Sequence, residues 1–237
     1  MCGRYVQASS PQLLAEHFHV DELAITEPPE PDYNVAPRAQ VLAVVQRGPD
    51  TPDLRILEPM RWGLVPSWAK ELKIGDRMIN ARAESVAEKP AFKTAFEKRR
   101  CILPADGFYE WQRRVGSKTK QPMFIHRRDG DPLAFAGLWE VWRAHPENDW
   151  LLSCAIVTTE ANAMMEPIHN RMPVILPETA WDAWLDRGEH DAAALSELLV
   201  PAPDDLLEMW PVSTAVNSAR NNTSELTKPV PPDTLFP

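Results

Sequence analysis

The chain has 237 residues, 44% hydrophobic and 25% charged, with a net charge of −9. That is the balance of a globular protein long enough to bury a core, and no run approaches the ~18 apolar residues of a membrane span. Three cysteines, Cys2, Cys101 and Cys154, with no C-x-x-C spacing argue against a disulfide framework or a zinc site and fit a reducing cytoplasm.

The first residues, Met1-Cys2-Gly3-Arg4-Tyr5, have neither the basic nor the apolar region of a signal peptide. Residues 27–31, rich in Pro and Glu, read as a surface loop leading into a turn at Tyr33-Asn34-Val35-Ala36-Pro37. Residues 41–46 are a short apolar, β-branched strand, and 56–62 read the same way. Residues 91–100 have helical character, with Phe92, Ala95 and Phe96 on one face. A buried strand at 101–103 is ended by Pro104. Residues 123–126 and 133–140 read as two strands of a hairpin joined by the Asp129-Gly130 turn. Further strands fall at 151–158 and 174–176, the second ended by Pro177. Residues 178–185 and 191–199 are amphipathic helices. The tail from 228, with prolines at 229, 231, 232 and 237, is irregular. Short strands dominate and helices are few. The expectation is an α+β single domain over residues 1–226, with a mainly antiparallel, curved, barrel-like β core flanked by helices, then a Pro-rich tail at 227–237.

Charge is uneven along the chain. Residues 73–128 hold 14 of the 25 Lys+Arg and 6 acids, a local balance of +8, whereas 129–237 carry −13. A basic middle in an acidic protein can make a local phosphate-binding face. The alternative is that bases such as Lys98-Arg99-Arg100 lie on a solvated face.

Chemistry concentrates in a few places. A Cys directly after Met becomes, once Met1 is removed, a 1,2-aminothiol, with an amine of pKa ~7.7–8.0 and a thiol of pKa ~8.5 before any perturbation. Amine and thiol together can close a five-membered thiazolidine on an aldehyde; an internal Cys cannot. The structural alternative is a Cys2 that is merely buried. Asn80 in Met78-Ile79-Asn80-Ala81-Arg82, Glu110 between Tyr109 and Trp111, and His169 in a loop hemmed by Pro167 and Pro173 are polar residues in apolar settings. Each has an ordinary reading: Asn80 as a helix cap, Glu110 as an arginine partner, His169 as a core histidine. Trp62-Gly63-Leu64-Val65-Pro66-Ser67-Trp68 offers aromatic surface on a turn, which can stack on unpaired bases or pack in the core.

In order, Met1–Tyr5, Tyr33–Pro37, Trp62–Pro66, Ile79-Asn80-Ala81-Arg82-Ala83-Glu84, Ala105–Trp111 and Ile168-His169-Asn170-Arg171-Met172-Pro173 resemble the SOS response-associated peptidase (SRAP) family, abasic-site crosslinking proteins of DNA repair. The resemblance spans residues 1 to about 225. It implies Cys2 as nucleophile, Asn80 as its positioner, Glu110 as general acid/base and His169 as the proton donor to the sugar ring oxygen. It further implies Arg4, Arg82 and Arg171 on phosphates, and Pro37 and Trp68 along the DNA path. The expected partner is single-stranded DNA with abasic sites, as at replication forks. No metal, cofactor or membrane is expected, and the location is cytoplasmic, on the nucleoid when DNA is bound. Lyase cleavage and self-removal of Met1 are implied side activities. A thiol autopeptidase or amidase, and a noncovalent reader of damaged DNA, are the alternatives.

Overall fold

A computed structural model describes residues 2–47, 54–113, 119–145, 147–189 and 191–230. Met1 and residues 231–237, which include most of the expected tail, lie outside these. In chain order the elements are β1 (Tyr5–Gln7), α1 (Pro11–His17), β2 (Glu22–Leu23), β3 (Asp32–Val35), β4 (Gln40–Arg47), β5 (Leu54–Trp62), β6 (Asn80–Arg82) and α2 (Lys93–Lys98). They continue with β7 (Arg100–Ala105), β8 (Gly107–Arg113), β9 (Lys120–Arg127), β10 (Leu133–Trp142), β11 (Leu151–Glu160), β12 (Arg171–Pro173), α3 (Trp181–Leu185), α4 (Ala192–Glu197) and β13 (Leu207–Pro211).

The strands form two sheets. In the larger, β10, β7, β4, β5 and β11 pair in sequence, and β11 pairs back to β10. Five strands therefore close on themselves, which removes the exposed edges an open sheet would carry. The closing contact is short and parallel, Ser153 opposite Arg61 and Cys154 opposite Trp62. β6 adds a second parallel pairing to β11, with Asn80 opposite Ile156. The smaller sheet runs β13-β9-β8-β1-β3. The α+β class with a barrel-like core is as the sequence led us to expect.

Alternation along β4 shows how the two layers are built. Leu42 and Val44 face a cluster with Leu14, Phe18, Phe96 and Trp184 from the helices. Val41, Ala43 and Val45 face the smaller sheet, in a cluster with Cys2, Tyr5 and Phe108. Aromatic rings bolt the sheets together: Tyr5 meets Trp62 at 5.1 Å and Phe135 at 6.1 Å, and Phe108 meets Phe135 at 5.8 Å. Full burial of such a side chain is worth about 1.5–3 kcal/mol.

Several local expectations are corrected. Tyr33–Val35 is strand, not turn: Tyr5 pairs with Val35. The Asp129-Gly130 turn exists, with Gly130 at φ +85°, but the strands it joins do not pair. It carries the chain from the smaller sheet to the larger. Pro104 does not end β7; Ala134 pairs with it on one side, while the β4 ladder reaches only Ile102 and Cys101, so no partner there needs its missing N–H. The helix expected at 91–100 is shorter, because Arg100 already belongs to β7. Residues 174–176 supply a single bridge, Ile175 to Phe135, and the strand proper is Arg171–Pro173. The tail is anchored at its start, where Pro229 bridges Val212 and Val230 N–H donates to Pro211.

Candidate functional site

Four sequence-predicted residues meet where the two sheets face each other. β1 lies antiparallel to β8, and Tyr109 N–H donates to the Arg4 carbonyl at 2.9 Å. That pairing brings Cys2 alongside the strand that carries Glu110. Asn80 arrives from the other sheet: β6 is held on β11, and the Asn80 amide donates to the Cys2 carbonyl at 2.8 Å. Asn80 is thus in a strand, not at a helix cap. His169 ends a turn closed by its N–H to the Met165 carbonyl at 2.9 Å. Its Nδ1 accepts the Arg171 N–H at 3.0 Å, so the neutral ring carries its proton on Nε2.

The electrostatics tie these groups together. Cys2 has no exposed surface in the chain that still carries Met1. Burial pushes its thiol far above the ordinary range, and the Glu110 charge pushes it further. Burial lowers His169 below its ordinary value, while Glu110 raises it and Lys120 lowers it. Glu110, itself 4% exposed, is therefore within electrostatic reach of both the thiol and the imidazole. Among the described residues Asn80 Oδ1 is buried and finds no donor. An acceptor left open beside the Cys2 backbone suits an incoming N–H or O–H.

The residues expected on DNA divide. Arg82 is exposed. Arg171 forms a fork on the Glu84 carboxylate, at 2.5 and 3.0 Å, and donates to the Thr158 carbonyl at 2.5 Å. Arg4 is engaged inside the protein, at 2.7 Å from Asn34 Oδ1 and 3.0 Å from the Val216 carbonyl. Pro37 is half-buried, just before Arg38, whose φ is +78°. Trp68 is 58% exposed. Much of the basic middle is spent on structure: Arg99 pairs with Glu140 at 2.7 Å, Arg127 with Asp129 at 2.6 Å, and Arg100 is buried. The reading of 98–100 as a solvated face fails at Arg100. Sequence reasoning missed Lys120, a cation felt by His169, and missed that Trp111 is held by Asn217 at 2.7 Å beside Glu110. Its only early signal was the basic count of the segment.

Among the described residues no group of three or more His, Cys, Asp or Glu could hold a metal ion, and no helix is long and apolar enough to cross a membrane.

A buried thiol, a carboxylate, an imidazole and an amide gathered between a closed barrel and a second sheet define a site for nucleophilic chemistry with proton transfer. The chain belongs to the SOS response associated peptidase (SRAP) family, whose profile matches residues 1–219. It is 44% identical over 226 residues to the abasic site processing protein YoqW of Bacillus subtilis, covering 95% of this chain and 98% of that one. It is 37% identical to the mouse abasic site processing protein HMCES, covering 84% of this chain and 65% of the relative. A crystal structure of a Bacteroides thetaiotaomicron protein shares the fold with a TM-score of 0.85 at 22% identity, covering 97% of this chain and all of that one.

Proposed function

We propose that this protein captures abasic sites in single-stranded DNA by forming a covalent thiazolidine through Cys2, after Met1 has been removed. The observation that carries the reading is the approach of Asn80 and Glu110 to Cys2, with His169 under the influence of the same Glu110 charge. Relatives named as abasic site processing proteins support the choice of substrate.

The steps follow from the residues. An abasic deoxyribose is mostly a closed hemiacetal. His169, protonated, delivers its proton to the ring oxygen, and the sugar opens to the aldehyde. The Cys2 amine attacks C1′, and loss of one water gives the imine. Glu110 moves protons at that nitrogen. The Cys2 thiol then adds across the C=N bond: sulfur bonds to C1′, and the proton passes by way of Glu110 to the nitrogen. Burial and the Glu110 charge keep this thiol protonated in the chain that still carries Met1, and Glu110 is the base that takes its proton at this step. Acid/base help of this kind is worth ~10²–10⁴-fold. Asn80 fixes the Cys2 backbone while its open Oδ1 accepts from the new amine or the sugar.

The imine stage also permits some β-elimination, a lyase side reaction that ring closure suppresses. Removal of Met1 is the maturation step, and the family's peptidase description fits a protein that does this itself. Arg82 holds a flanking phosphate, Arg171 joins it when a phosphate displaces Glu84 from its fork, and Trp68 stacks on a base, so binding tracks the backbone rather than the sequence. Residues 1–226 act as the unit, in the cytoplasm and on the nucleoid when DNA is bound.

The test is a denaturing gel and an intact mass, with the protein mixed with an abasic single-stranded oligonucleotide. Wild type should gain the mass of the oligonucleotide minus one water, and Cys2→Ala should give no adduct. An adduct with Cys2→Ala, or a mature chain that keeps Met1 and still crosslinks, would sink the reading.

A further inference from the structure

Six large hydrophobic side chains are exposed among the described residues: Leu13, Leu23, Trp68, Leu72, Trp150 and Val200. Two are tryptophans, Trp68 at 58% and Trp150 at 60%. One hydrogen bond brings together the two segments that carry them, at the open end of the β10–β11 hairpin. β10 and β11 end their ladder at Trp142 opposite Leu151, so Arg143 and Trp150 flank the mouth of that hairpin. The Trp142 indole donates to the Ala69 carbonyl at 2.7 Å, which ties the hairpin mouth to the residue beside Trp68. Leu72 follows three residues on, at the start of a short 3-10 helix, Leu72–Arg77. Three of the six exposed apolar side chains thus come from two segments joined by one hydrogen bond.

The Arg143 guanidinium sits 4.1 Å from the centre of the Trp150 ring. A cation on one face of an indole holds the ring still and leaves its opposite face and edges as a stacking surface. The cations nearby in sequence, Lys70, Lys73 and Arg77, are all exposed. The exposed acids of the same two segments are Glu71, Glu147 and Asp149, so the cations, with Arg143, outnumber them by one. Flat aromatic surface with cations beside it fits unpaired nucleobases on a phosphate backbone.

We infer that the Arg143–Trp150 pair is a second base-stacking platform, continuous with Trp68, that receives single-stranded nucleic acid several nucleotides away from the lesion. The inference rests on the proposed DNA-binding role of the Trp68 surface. No chemistry occurs at this platform; it lengthens the bound strand and adds affinity.

The probes are abasic-free oligothymidylates of 4 and 12 nucleotides, with affinity read by fluorescence anisotropy for the whole protein. Trp150→Ala should weaken binding of the 12-mer by about five- to 150-fold, the range set by losing one stacked base, and leave the 4-mer unchanged. Trp150→Phe, which keeps a ring, should restore most of the 12-mer affinity. Crosslinking of a short abasic oligonucleotide should be unaffected by Trp150→Ala. Equal losses on both lengths, or no loss on the 12-mer while Trp68→Ala does weaken it, would overturn the platform. If Trp68→Ala is also silent while Cys2-dependent adducts still form, the platform is overturned together with the Trp68 contact, and the covalent chemistry stands.

Discussion

Arg100, in β7, and Asn80, in β6 alongside β11, are polar residues on opposite faces of the larger sheet, and their surroundings differ. On the helix side, Arg100 places its guanidinium donors on the carbonyls of Trp184, Phe96, Glu97, Asp186 and Glu189. It closes the ends of α2 and α3, where helix carbonyls otherwise lack partners. Burial costs it some basicity, to a pKa of about 10, yet it stays charged at neutral pH. On the other side, Asn80 spends its amide on Cys2 and leaves Oδ1 without a donor among the described residues. A buried polar group with every valence filled is holding structure together. One with a valence open, beside a thiol that burial and a carboxylate keep protonated, is prepared for something to arrive.

The largest expected effect lies on the open side. Glu110→Gln removes the base and should slow adduct formation by about 10²–10⁴-fold, with little change in binding of intact single strands. Pre-steady-state gels at saturating protein read the first, anisotropy the second. Equal losses in both would make Glu110 a structural residue. His169 adds a pH signature. Burial holds it below its ordinary value, so the protonated form grows only as pH falls below the ordinary histidine range. Adduct formation needs protonated His169 and a free Cys2 amine together, so the rate should fall on both sides of a maximum, and His169→Gln should flatten the alkaline limb. Stability depends on the same His169 proton. The unfolded chain takes up a proton first, so this group makes folding less favourable as pH drops through the same window. The rates therefore need a parallel check that the protein is still folded.

On the closed side, Arg100→Leu should cost about 3 kcal/mol or more, because each buried carbonyl left without a donor costs ~1–3 kcal/mol. Urea titration should show a lower midpoint with an unchanged slope, and the variant, while folded, should crosslink at the wild-type rate. A folded Arg100→Leu that crosslinks slowly would erase the contrast between the two faces.

This contrast explains what the sequence could and could not tell. Cys2, Asn80, Glu110 and His169 could be singled out because each stands in a short motif of the SRAP pattern; taken one at a time, each had an ordinary structural reading. Strands β4, β10 and β11 were legible because they are long apolar runs. What failed was pairing. Asp129-Gly130 makes a tight turn wherever it stands, but a turn does not say which strands share a ladder; here β9 goes to β8 and β13, and β10 to β7 and β11. The short strands β1, β6, β8 and β13 went unread because their residues are polar, aromatic or proline-flanked, and only partners far along the chain make them strands. Arg100 looked like surface charge beside Lys98 and Arg99, since no local pattern reports five carbonyls gathered from α2 and from 80 to 90 residues away.

The smallest effect tests whether Arg171 belongs to the open side or the closed one. Its fork on Glu84 occupies the donors a phosphate would use, and Glu84 is more than half exposed. The pairing holds the Glu84 carboxyl below its usual range. A surface pair of this kind contributes only ~0–1 kcal/mol to stability. Glu84→Gln should therefore barely move the urea midpoint. If the carboxylate stands where a DNA phosphate docks, the same change should raise single-strand affinity a few-fold. It should also steepen the log–log salt dependence by about 0.7, the increment for one added phosphate contact on a single strand. An unchanged salt slope with a lowered midpoint would place Arg171 with Arg100, as a residue whose charge is consumed in holding β12 to β11.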